Sequence, residues 1–299
     1  MKFSLVIPLA PDRNAPIIDS IKKLDYSIKD FHVVIVRGTN PSENRNRGAS
    51  KAKGGFIVFL DDDAIIDKDY LKKAEEFFDQ YPEIDIVGGP QLTPDSDKGF
   101  AKISGYTLSS KFGAANSSKR YVKGKLNLNA DEKLITSANL IVKREVMKKI
   151  QFDSKLFPGE DPKFIEDAKR KNLKVAYCSD FIIYHKRRPT IKSFFKQNFN
   201  YGKVRPVKEN FFQTLKNPQF LIPSLFVIYL VFLLISLSFK LNIMFFIPLI
   251  IYGSLNILFS IYESIKNKNI NAIFALPWIY FILHISYGIG MIWGYIKKL

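Results

Sequence analysis

The sequence contains a single cysteine, and this scarcity excludes two kinds of stabilising site. Among 299 residues only Cys178 carries a thiol. One cysteine cannot form a disulfide within the chain, and it cannot supply the paired Cys-x-x-Cys ligands of a metal site. Cys178 lies in an apolar stretch, so we expect it to be a buried packing residue.

Acidic residues are scarce in the last part of the chain. After Pro218 the one acidic side chain is Glu263, against the lysines Lys240, Lys266, Lys268, Lys297 and Lys298. The formal net charge of +17 therefore belongs mainly to the earlier residues. A basic surface attracts nucleic acid, nucleotide phosphates or anionic lipid headgroups. The apolar end of the chain favours the last two of these partners.

The N-terminus lacks the long apolar core of a signal peptide. The apolar run from Phe3 to Ala10 is short, contains Pro8 and leads directly to the charged residues Asp12 and Arg13. A secretory signal has a different order of charge and apolar residues. The run is typical of a β-strand, and we predict that the domain it opens lies in the cytosol.

Charged residues are nearly absent from three long stretches near the C-terminus, residues 220–239, 243–262 and 272–296. Each is long enough to cross a bilayer, which takes about 20 helical residues. We predict a helical membrane domain over residues 218–299 with three transmembrane helices, and a tight hairpin at Lys240-Leu241-Asn242. Buried helices of a soluble protein are the alternative, but three successive runs with almost no polar face disfavour it.

The polar loop at residues 263–271 indicates an orientation for these helices. It contains Lys266 and Lys268, and positively charged loops tend to stay on the cytoplasmic side. We therefore predict a multi-pass protein of the cell membrane with its N-terminal domain on the cytoplasmic side. Lys297 and Lys298 would then lie outside, against the same tendency, so a tilted, interfacial or re-entrant third segment stays open.

Residues 1–217 alternate between two kinds of apolar pattern. Continuous apolar runs predict strands at 3–7, 33–36, 56–60 and 84–89, and helical spacing or composition predicts helices at 17–24, 42–53 and 70–81. This order predicts an α/β fold with an open, mostly parallel sheet and helices on both faces. Ligands bind beyond the carboxyl ends of such strands, so the strand ends at Pro8, Arg37 and Asp61 are expected to line one crevice.

Three successive carboxylates follow the third predicted strand at Asp61-Asp62-Asp63. Like charges so close together repel unless a cation neutralises them. Mg²⁺ or Mn²⁺, bound by carboxylate oxygens and substrate phosphates, is one solution. The alternative is a solvated acidic turn that stabilises the start of the next helix.

Several motifs, taken in order, resemble those of family 2 glycosyltransferases. They are Pro8 at the end of the first strand, Arg45-Asn46-x-Gly48, Phe59-Leu60-Asp61-Asp62-Asp63, Phe157-Pro158-Gly159-Glu160-Asp161 and the stretch 193–202. The match covers residues 3–205, with apolar helices after it as in many membrane-bound members. The resemblance implies a GT-A fold, with a nucleotide half at residues 1–92 and an acceptor half at residues 93–217.

The resemblance also implies roles for individual residues. Asp161 would be the catalytic base that deprotonates the acceptor hydroxyl, giving inversion by direct displacement. Asp63 would hold Mn²⁺ or Mg²⁺ at the donor diphosphate. His185 could also reach the metal, as a histidine at a similar place does in some relatives. The nucleotide-sugar donor would be bound by Pro8, Arg45, Asp61, Asp62 and Glu160.

Two of these assignments have plainer alternatives. Glu160 and Asp161 precede Pro162 and a predicted helix at 163–171, so they could simply stabilise its N-terminus. His185 follows an apolar strand and precedes three basic residues. A hydrogen-bonded structural histidine is as compatible with that position as a metal or phosphate ligand.

Two family features are missing, and each limits the prediction. Many relatives carry a base-recognising aspartate after the second strand, where this chain has Val36-Arg37-Gly38-Thr39-Asn40. A UDP-sugar is therefore the default assumption for the donor and is not deduced from the sequence. Gln197 is not followed by the Gln-x-x-Arg-Trp pattern of processive synthases, which favours transfer of one sugar to a lipid-linked acceptor, either a polyprenyl phosphate or a lipid-linked glycan.

Two other functions are alternatives to this hypothesis. A metal-dependent nucleotidyltransferase would use a similar sheet, but no glycine-rich phosphate loop follows the first strand at Ala10–Asn14. A basic, membrane-tethered protein that binds nucleic acid or anionic lipid without catalysis would use the charge. That hypothesis leaves the carboxylate cluster unexplained, so we expect membrane lipids as partners and no nucleic acid.

Overall fold

The structure is a computed structural model that describes residues 1–236 and 242–298. Its strands are β1 (Phe3–Leu9), β2 (Phe31–Arg37), β3 (Phe56–Leu60), β4 (Ala64–Ile66), β5 (Ile86–Gly88), β6 (Gln91–Leu92), β7 (Asn139–Lys143), β8 (Val175–Tyr177) and β9 (Ile183–His185).

The α-helices are α1 (Ile17–Ile21), α2 (Pro41–Ser50), α3 (Tyr70–Gln80), α4 (Gly99–Ser109), α5 (Lys111–Ala114), α6 (Val146–Lys149), α7 (Glu160–Arg170), α8 (Ile191–Lys208), α9 (Phe211–Leu215), α10 (Ile222–Ser236), α11 (Ile247–Lys266) and α12 (Ala272–Lys298). Short 3-10 helices cover Ala115–Tyr121, Pro218–Phe220 and Ile243–Phe246. Each predicted strand and helix up to α3 is present, with ends that differ by a few residues.

The chain forms two compact units. The first consists of Met1–Pro94 and Lys119–Lys186, and the second of Asp95–Ser118 and Arg187–Leu299. This division follows packing, whereas the predicted boundary at Asn217-Pro218 follows composition and separates residues 1–217 from 218–299. The assignment of those two ranges to a catalytic and a membrane domain stays a prediction.

The main sheet of the first unit is mostly parallel. Its strand order is β2-β1-β3-β7-β5-β8, and β7 runs antiparallel to both of its neighbours while the remaining pairs are parallel. The predicted α/β sheet is therefore confirmed. The sequence analysis did not predict the antiparallel strand.

Both faces of this sheet are covered, as the alternation of β3 side chains shows. Val58 faces one buried cluster with Leu71 of α3. Phe59, the next residue, faces a second buried cluster with Phe164 of α7. Because successive strand residues point to opposite faces, a fully apolar strand fits a sheet with helices on both sides.

A second, three-stranded sheet in the same unit lies after the carboxylates. Its strand order is β4-β9-β6. β4 runs antiparallel to β9, with Ala64 opposite His185. This register places His185 beside Asp63, although 122 positions separate them in the sequence.

The second unit is built around α12, which packs closely against α8. A Cβ added at Gly290 would lie 2.1 Å from the carbonyl oxygen of Phe199, and one at Gly294 would lie 2.3 Å from that of Lys203. Glycine is needed at these two positions because the backbones approach too closely for any side chain.

Two segments of the second unit are long and apolar enough to cross a membrane, Ile243–Lys266 with 24 residues and Ala272–Lys298 with 27 residues. They correspond to the second and third predicted spans. In the first predicted span the structure describes α10, Ile222–Ser236. Residues 237–239 of that span, and Lys240 and Leu241 of the predicted hairpin, lie outside the described residues.

Candidate functional site

Two of the three carboxylates after β3, those of Asp62 and Asp63, share Arg13 as a partner. Asp63 lies 2.8 Å from Nη2 of Arg13 through its Oδ2 atom. Asp62 is buried, with Nε of Arg13 3.0 Å from its Oδ2. Burial raises the pKa of Asp62 to about 6, against the opposing effect of the Arg13 charge. The arginine of the β1–α1 loop therefore neutralises part of the acidic cluster.

His185 lies between the carboxylates of Asp61 and Asp63. Its Nε2 is 3.1 Å from Oδ1 of Asp63 and 3.4 Å from Oδ2 of Asp61. Burial opposes protonation of the imidazole, but the hydrogen bonds and charges of Asp61 and Asp63 outweigh it and raise the pKa of His185 to about 9. A proton on Nε2 therefore sits where two carboxylates converge.

The same three side chains fit a divalent cation. Asp61, Asp63 and His185 each offer one ligand atom, and these atoms lie within 4.8 Å of one another. Nδ1 of His185 is 3.1 Å from the carbonyl oxygen of Lys186. A carbonyl accepts only, so Nδ1 donates and a neutral imidazole presents its Nε2 lone pair to the cluster, as in many histidine metal sites. The geometry adds Asp61 to the predicted ligands Asp63 and His185.

Arg45 links this cluster to the start of α7. Its Nη2 is 3.0 Å from Oδ1 of Asp61 and its Nη1 is 3.0 Å from Oε1 of Glu160. Arg45 is positioned by α2, which begins at Pro41 and is capped by Asn40, whose side chain accepts two backbone N–H bonds. The predicted Arg45 therefore contacts two other predicted site residues directly.

Glu160 and Asp161 form the first turn of α7, three residues earlier than the helix predicted at 163–171. Gly159 before them has a φ of 128°, a conformation that favours glycine, and its N–H donates to Oε2 of Glu160 at 2.9 Å. Burial and the charge of Asp161 raise the pKa of Glu160 to about 7, while Arg45 opposes this shift.

Asp161 differs from its neighbour in having a free oxygen. Its Oδ1 atom is buried and has no hydrogen-bond partner among the described residues. Both oxygens of Glu160, in contrast, are held by Arg45 and by the Gly159 N–H. A simple helix-capping role satisfies Glu160 but leaves this oxygen of Asp161 unused.

Pro8 lies at the same edge of the sheet. It is buried in β1 and stands two residues beyond the Val6–Phe59 pair, as Asp61 does on the neighbouring strand β3. The predicted site residues Pro8, Arg45, Asp61, Asp62, Asp63, Glu160, Asp161 and His185 thus all belong to the first unit.

Arg13 is a site residue that the sequence analysis did not identify, whereas Arg37 ends one of the three strands expected to line the crevice. Nη1 of Arg37 donates to the carbonyl oxygens of Pro11 and Arg13 at 2.9 and 3.2 Å. The signal that could have found Arg13 is its position, because it follows a strand whose carboxyl end shares the edge with Asp61.

Asn139, to which the sequence assigned no role, is a structural residue at the start of β7. Its Oδ1 accepts from the hydroxyl of Tyr70 at 2.6 Å, and its Nδ2 donates to the carbonyl oxygen of Phe181 at 2.6 Å. The buried amide is therefore satisfied by the protein itself.

Comparison with known proteins identifies the family of this chain. The sequence model described as glycosyl transferase family group 2 matches residues 56–293. Over 125 residues the chain is 30% identical to the minor teichoic acid biosynthesis protein GgaB of Bacillus subtilis (strain 168), an alignment that covers 42% of this chain and 13% of GgaB. The chain therefore spans a small part of that relative's length.

Solved structures resemble the chain over most of its length. Mannosyltransferase PcManGT from Pyrobaculum calidifontis, in complex with GDP-Man and Mn²⁺, superposes with a TM-score of 0.61 at 14% identity, covering 98% of this chain and 87% of that one. S. aureus TarS 1–349 in complex with UDP gives 0.48 at 18% identity, covering 94% and 91%.

The likeness to PcManGT confirms the predicted GT-A fold. The family match extends over more than half of the chain, and it decides between the enzyme classes that the residues alone left open. The nucleotidyltransferase and the binding protein without catalysis are thereby set aside. This chain belongs to glycosyl transferase family group 2.

Proposed function

We propose that this chain transfers one sugar, with inversion, from a nucleotide-sugar donor to a lipid-linked acceptor, in a reaction that depends on Mn²⁺ or Mg²⁺. The observation that carries the proposal is the buried Oδ1 of Asp161, which lacks a hydrogen-bond partner among the described residues. It belongs to the same unit as the cluster of Asp61, Asp63 and His185.

Asp161 is the catalytic base in this proposal. Its free oxygen accepts the proton of the acceptor hydroxyl as that oxygen attacks the anomeric carbon, and the donor diphosphate leaves from the opposite face. Glu160 is less suited to this task because Arg45 and the Gly159 N–H already hold both of its oxygens.

The donor site is assigned to the edge formed by β1, β3 and the start of α2. Pro8 and Asp62 would border the nucleoside, and Arg45 would orient Asp61 and Glu160 around it. PcManGT, which shares the fold, binds GDP-Man together with Mn²⁺, and this supports a nucleotide-sugar donor. UDP is the default nucleotide, since the base-recognising aspartate that many relatives carry after the second strand is replaced here by the run Val36-Arg37-Gly38-Thr39-Asn40.

The ion would be held by Asp61, Asp63 and His185. When bound, it would stabilise the negative charge that develops on the leaving diphosphate. The chain's own contribution is to fix three ligand atoms close together, with the hydrogen bond from His185 to the carbonyl of Lys186 keeping Nε2 directed at the carboxylates.

A lipid-linked acceptor is supported by the apolar helices of the second unit. Two segments are long enough to cross a membrane, so enzyme and acceptor would share one bilayer. A multi-pass location with the catalytic part on the cytoplasmic side agrees with Lys266 at the end of α11 and Lys268 just after it. GgaB is named for teichoic acid biosynthesis, which supports a role in cell-surface glycan assembly.

Sugar transfer by detergent-purified protein tests the proposal. We would measure donor hydrolysis and transfer to a short polyprenyl phosphate with UDP-, GDP- and dTDP-sugars, in Mn²⁺ or in EDTA. Asp161→Asn should lower transfer by at least about a hundredfold, since a positioned general base contributes that much. Asp167→Asn is the matched control, because Asp167 lies on the same helix and pairs with Lys163.

Metal-dependent turnover of one donor that falls in Asp161→Asn and persists in Asp167→Asn would support the proposal. Full transfer by Asp161→Asn would exclude this residue as the base. Transfer that persists in EDTA would overturn the metal requirement, and transfer to a soluble sugar in preference to the lipid would overturn the acceptor.

A further inference from the structure

Arg13 occupies an unusual position beside the candidate metal ligands. Its guanidinium contacts Oδ2 of Asp63 at 2.8 Å and Oδ2 of Asp62 at 3.0 Å. The side chain is 48% exposed, so it covers the carboxylates from the solvent side. A half-exposed ion pair is weak and can exchange partners.

The backbone that carries Arg13 is held in place by a second arginine. Arg37, at the end of β2, donates from Nη1 to the carbonyl oxygens of Pro11 and Arg13. The loop between β1 and α1 is thereby tied to the neighbouring strand. A change of partner by the Arg13 guanidinium therefore requires rotation of its side chain alone.

Asp63 divides its two oxygens between this arginine and the candidate metal cluster. Oδ2 faces Arg13, whereas Oδ1 faces His185. A cation placed among Asp61, Asp63 and His185 would therefore lie one carboxylate away from the Arg13 guanidinium. At that separation two positive charges repel each other appreciably in a partly buried site.

We propose that Arg13 is a positioning residue that serves as an internal counter-cation. Without a bound ion it neutralises Asp62 and Asp63, and it weakens the affinity of the cluster for a divalent cation. Once an ion takes over the charge of Asp63, the guanidinium turns to the donor diphosphate. This inference rests on the metal site of the proposed function.

The chemistry of arginine suits this exchange of partners. A guanidinium binds carboxylate and phosphate through the same paired N–H groups. A donor diphosphate bound beside the cluster would offer Arg13 a new partner of the same charge as the carboxylates. A lysine at this position would keep the charge but lose the paired geometry.

Mn²⁺ binding, followed by electron paramagnetic resonance of free Mn²⁺, provides a test that does not depend on activity. Arg13→Gln should bind Mn²⁺ about tenfold more tightly than wild type, because a repelling charge has been removed. Lys22→Gln is the control: it removes an exposed positive charge at the end of α1 and should leave the affinity unchanged.

Binding of UDP and GDP to the Mn²⁺-saturated protein, measured by calorimetry, provides the second readout. Arg13→Gln should bind these diphosphates about tenfold more weakly, as expected for a lost charge-assisted contact. Arg13→Lys should recover part of that loss. The opposite signs of the two effects distinguish this role from general damage to the site, which would weaken both.

Tighter Mn²⁺ binding and weaker diphosphate binding by Arg13→Gln would support the proposal. If wild type binds Mn²⁺ and Arg13→Gln binds it equally or less well, the counter-cation role is wrong while the metal site stands. If neither protein binds Mn²⁺, and Asp63→Asn behaves as they do, the metal site fails and the inference fails with it.

Discussion

Arg45 and Glu160 lie 115 positions apart in the chain and form a buried ion pair, with Nη1 3.0 Å from Oε1. Each side chain is only 5% exposed. The pair joins α2 to the start of α7, and Arg45 reaches Asp61 with its other amino group. One guanidinium thus fixes the carboxylates that two distant motifs contribute.

Removal of this arginine should destabilise the protein strongly. Arg45→Met leaves Glu160 buried without its cation, which typically costs about 3–5 kcal/mol. The midpoint of thermal unfolding in detergent measures the effect. Lys72→Met is the control, because the Lys72–Asp25 pair is at least half exposed and such pairs contribute at most about 1 kcal/mol.

The double variant Arg45→Met/Glu160→Gln separates two causes of destabilisation, the buried uncompensated charge and the loss of packing. It should be more stable than Arg45→Met alone, because the uncompensated carboxylate is gone. Equal destabilisation by Arg45→Met and Lys72→Met would contradict the buried ion pair.

Glu160 should make stability depend on pH. Its pKa is raised from 4.5 to about 7 in the folded protein, so the folded state holds this proton more tightly than the unfolded chain. The stabilisation is complete below pH 4.5 and is lost as pH rises toward 7. Unfolding midpoints across this window should fall less in Glu160→Gln than in wild type.

The control for this prediction is Glu76→Gln, which changes an exposed glutamate on α3. It should keep the wild-type pH profile. A profile of Glu160→Gln that matches wild type throughout the window would show that Glu160 does not titrate there.

His185 should be needed for metal binding. Loss of a ligand should weaken Mn²⁺ affinity by at least about tenfold, since even outer partners of ligands contribute that much. Titration of purified His185→Ala with Mn²⁺ measures the change. His32→Ala is the control, because His32 on β2 bonds the hydroxyl of Ser4 at 2.7 Å and is not part of the cluster.

Asp61→Asn tests whether Asp61, which the geometry adds to the predicted ligands, binds the metal ion. Like His185→Ala, it should weaken Mn²⁺ binding, since Asp61 and His185 belong to one cluster. Unchanged affinity in Asp61→Asn would return this residue to a purely nucleotide-binding role.

The close packing of α8 on α12 should tolerate no side chain at Gly290. A methyl group there would meet the Phe199 carbonyl at 2.1 Å, and overpacking of this kind costs about 1–3 kcal/mol or more. Gly253→Ala on α11 is the control, because nothing lies within 4 Å of its added Cβ. That change should be neutral or stabilising by up to about 1 kcal/mol.

Thermal unfolding monitored by size-exclusion chromatography would compare the two glycine variants. A Gly290→Ala protein as stable as Gly253→Ala would show that the helices can separate at little cost. That result would contradict the close packing of α8 against α12 at Gly290.

The sequence alone determined the main features of the fold. Continuous apolar runs such as Phe56–Leu60 predicted buried parallel strands, because only a strand covered on both faces is apolar throughout. The position of Asp61-Asp62-Asp63 at a strand end and the apolar runs after Pro218 were equally local signals. They required no knowledge of which distant residues meet.

The tertiary structure decided the partners. That Asp63 faces His185 follows from the antiparallel register of β4 and β9, and that Arg45 holds Glu160 follows from the packing of helices on the sheet. Neither strand is long enough to show a periodic pattern, and no local rule pairs residues over 100 positions apart. The sequence thus specified which residues carry charge, while long-range backbone pairing decided which charges neutralise one another.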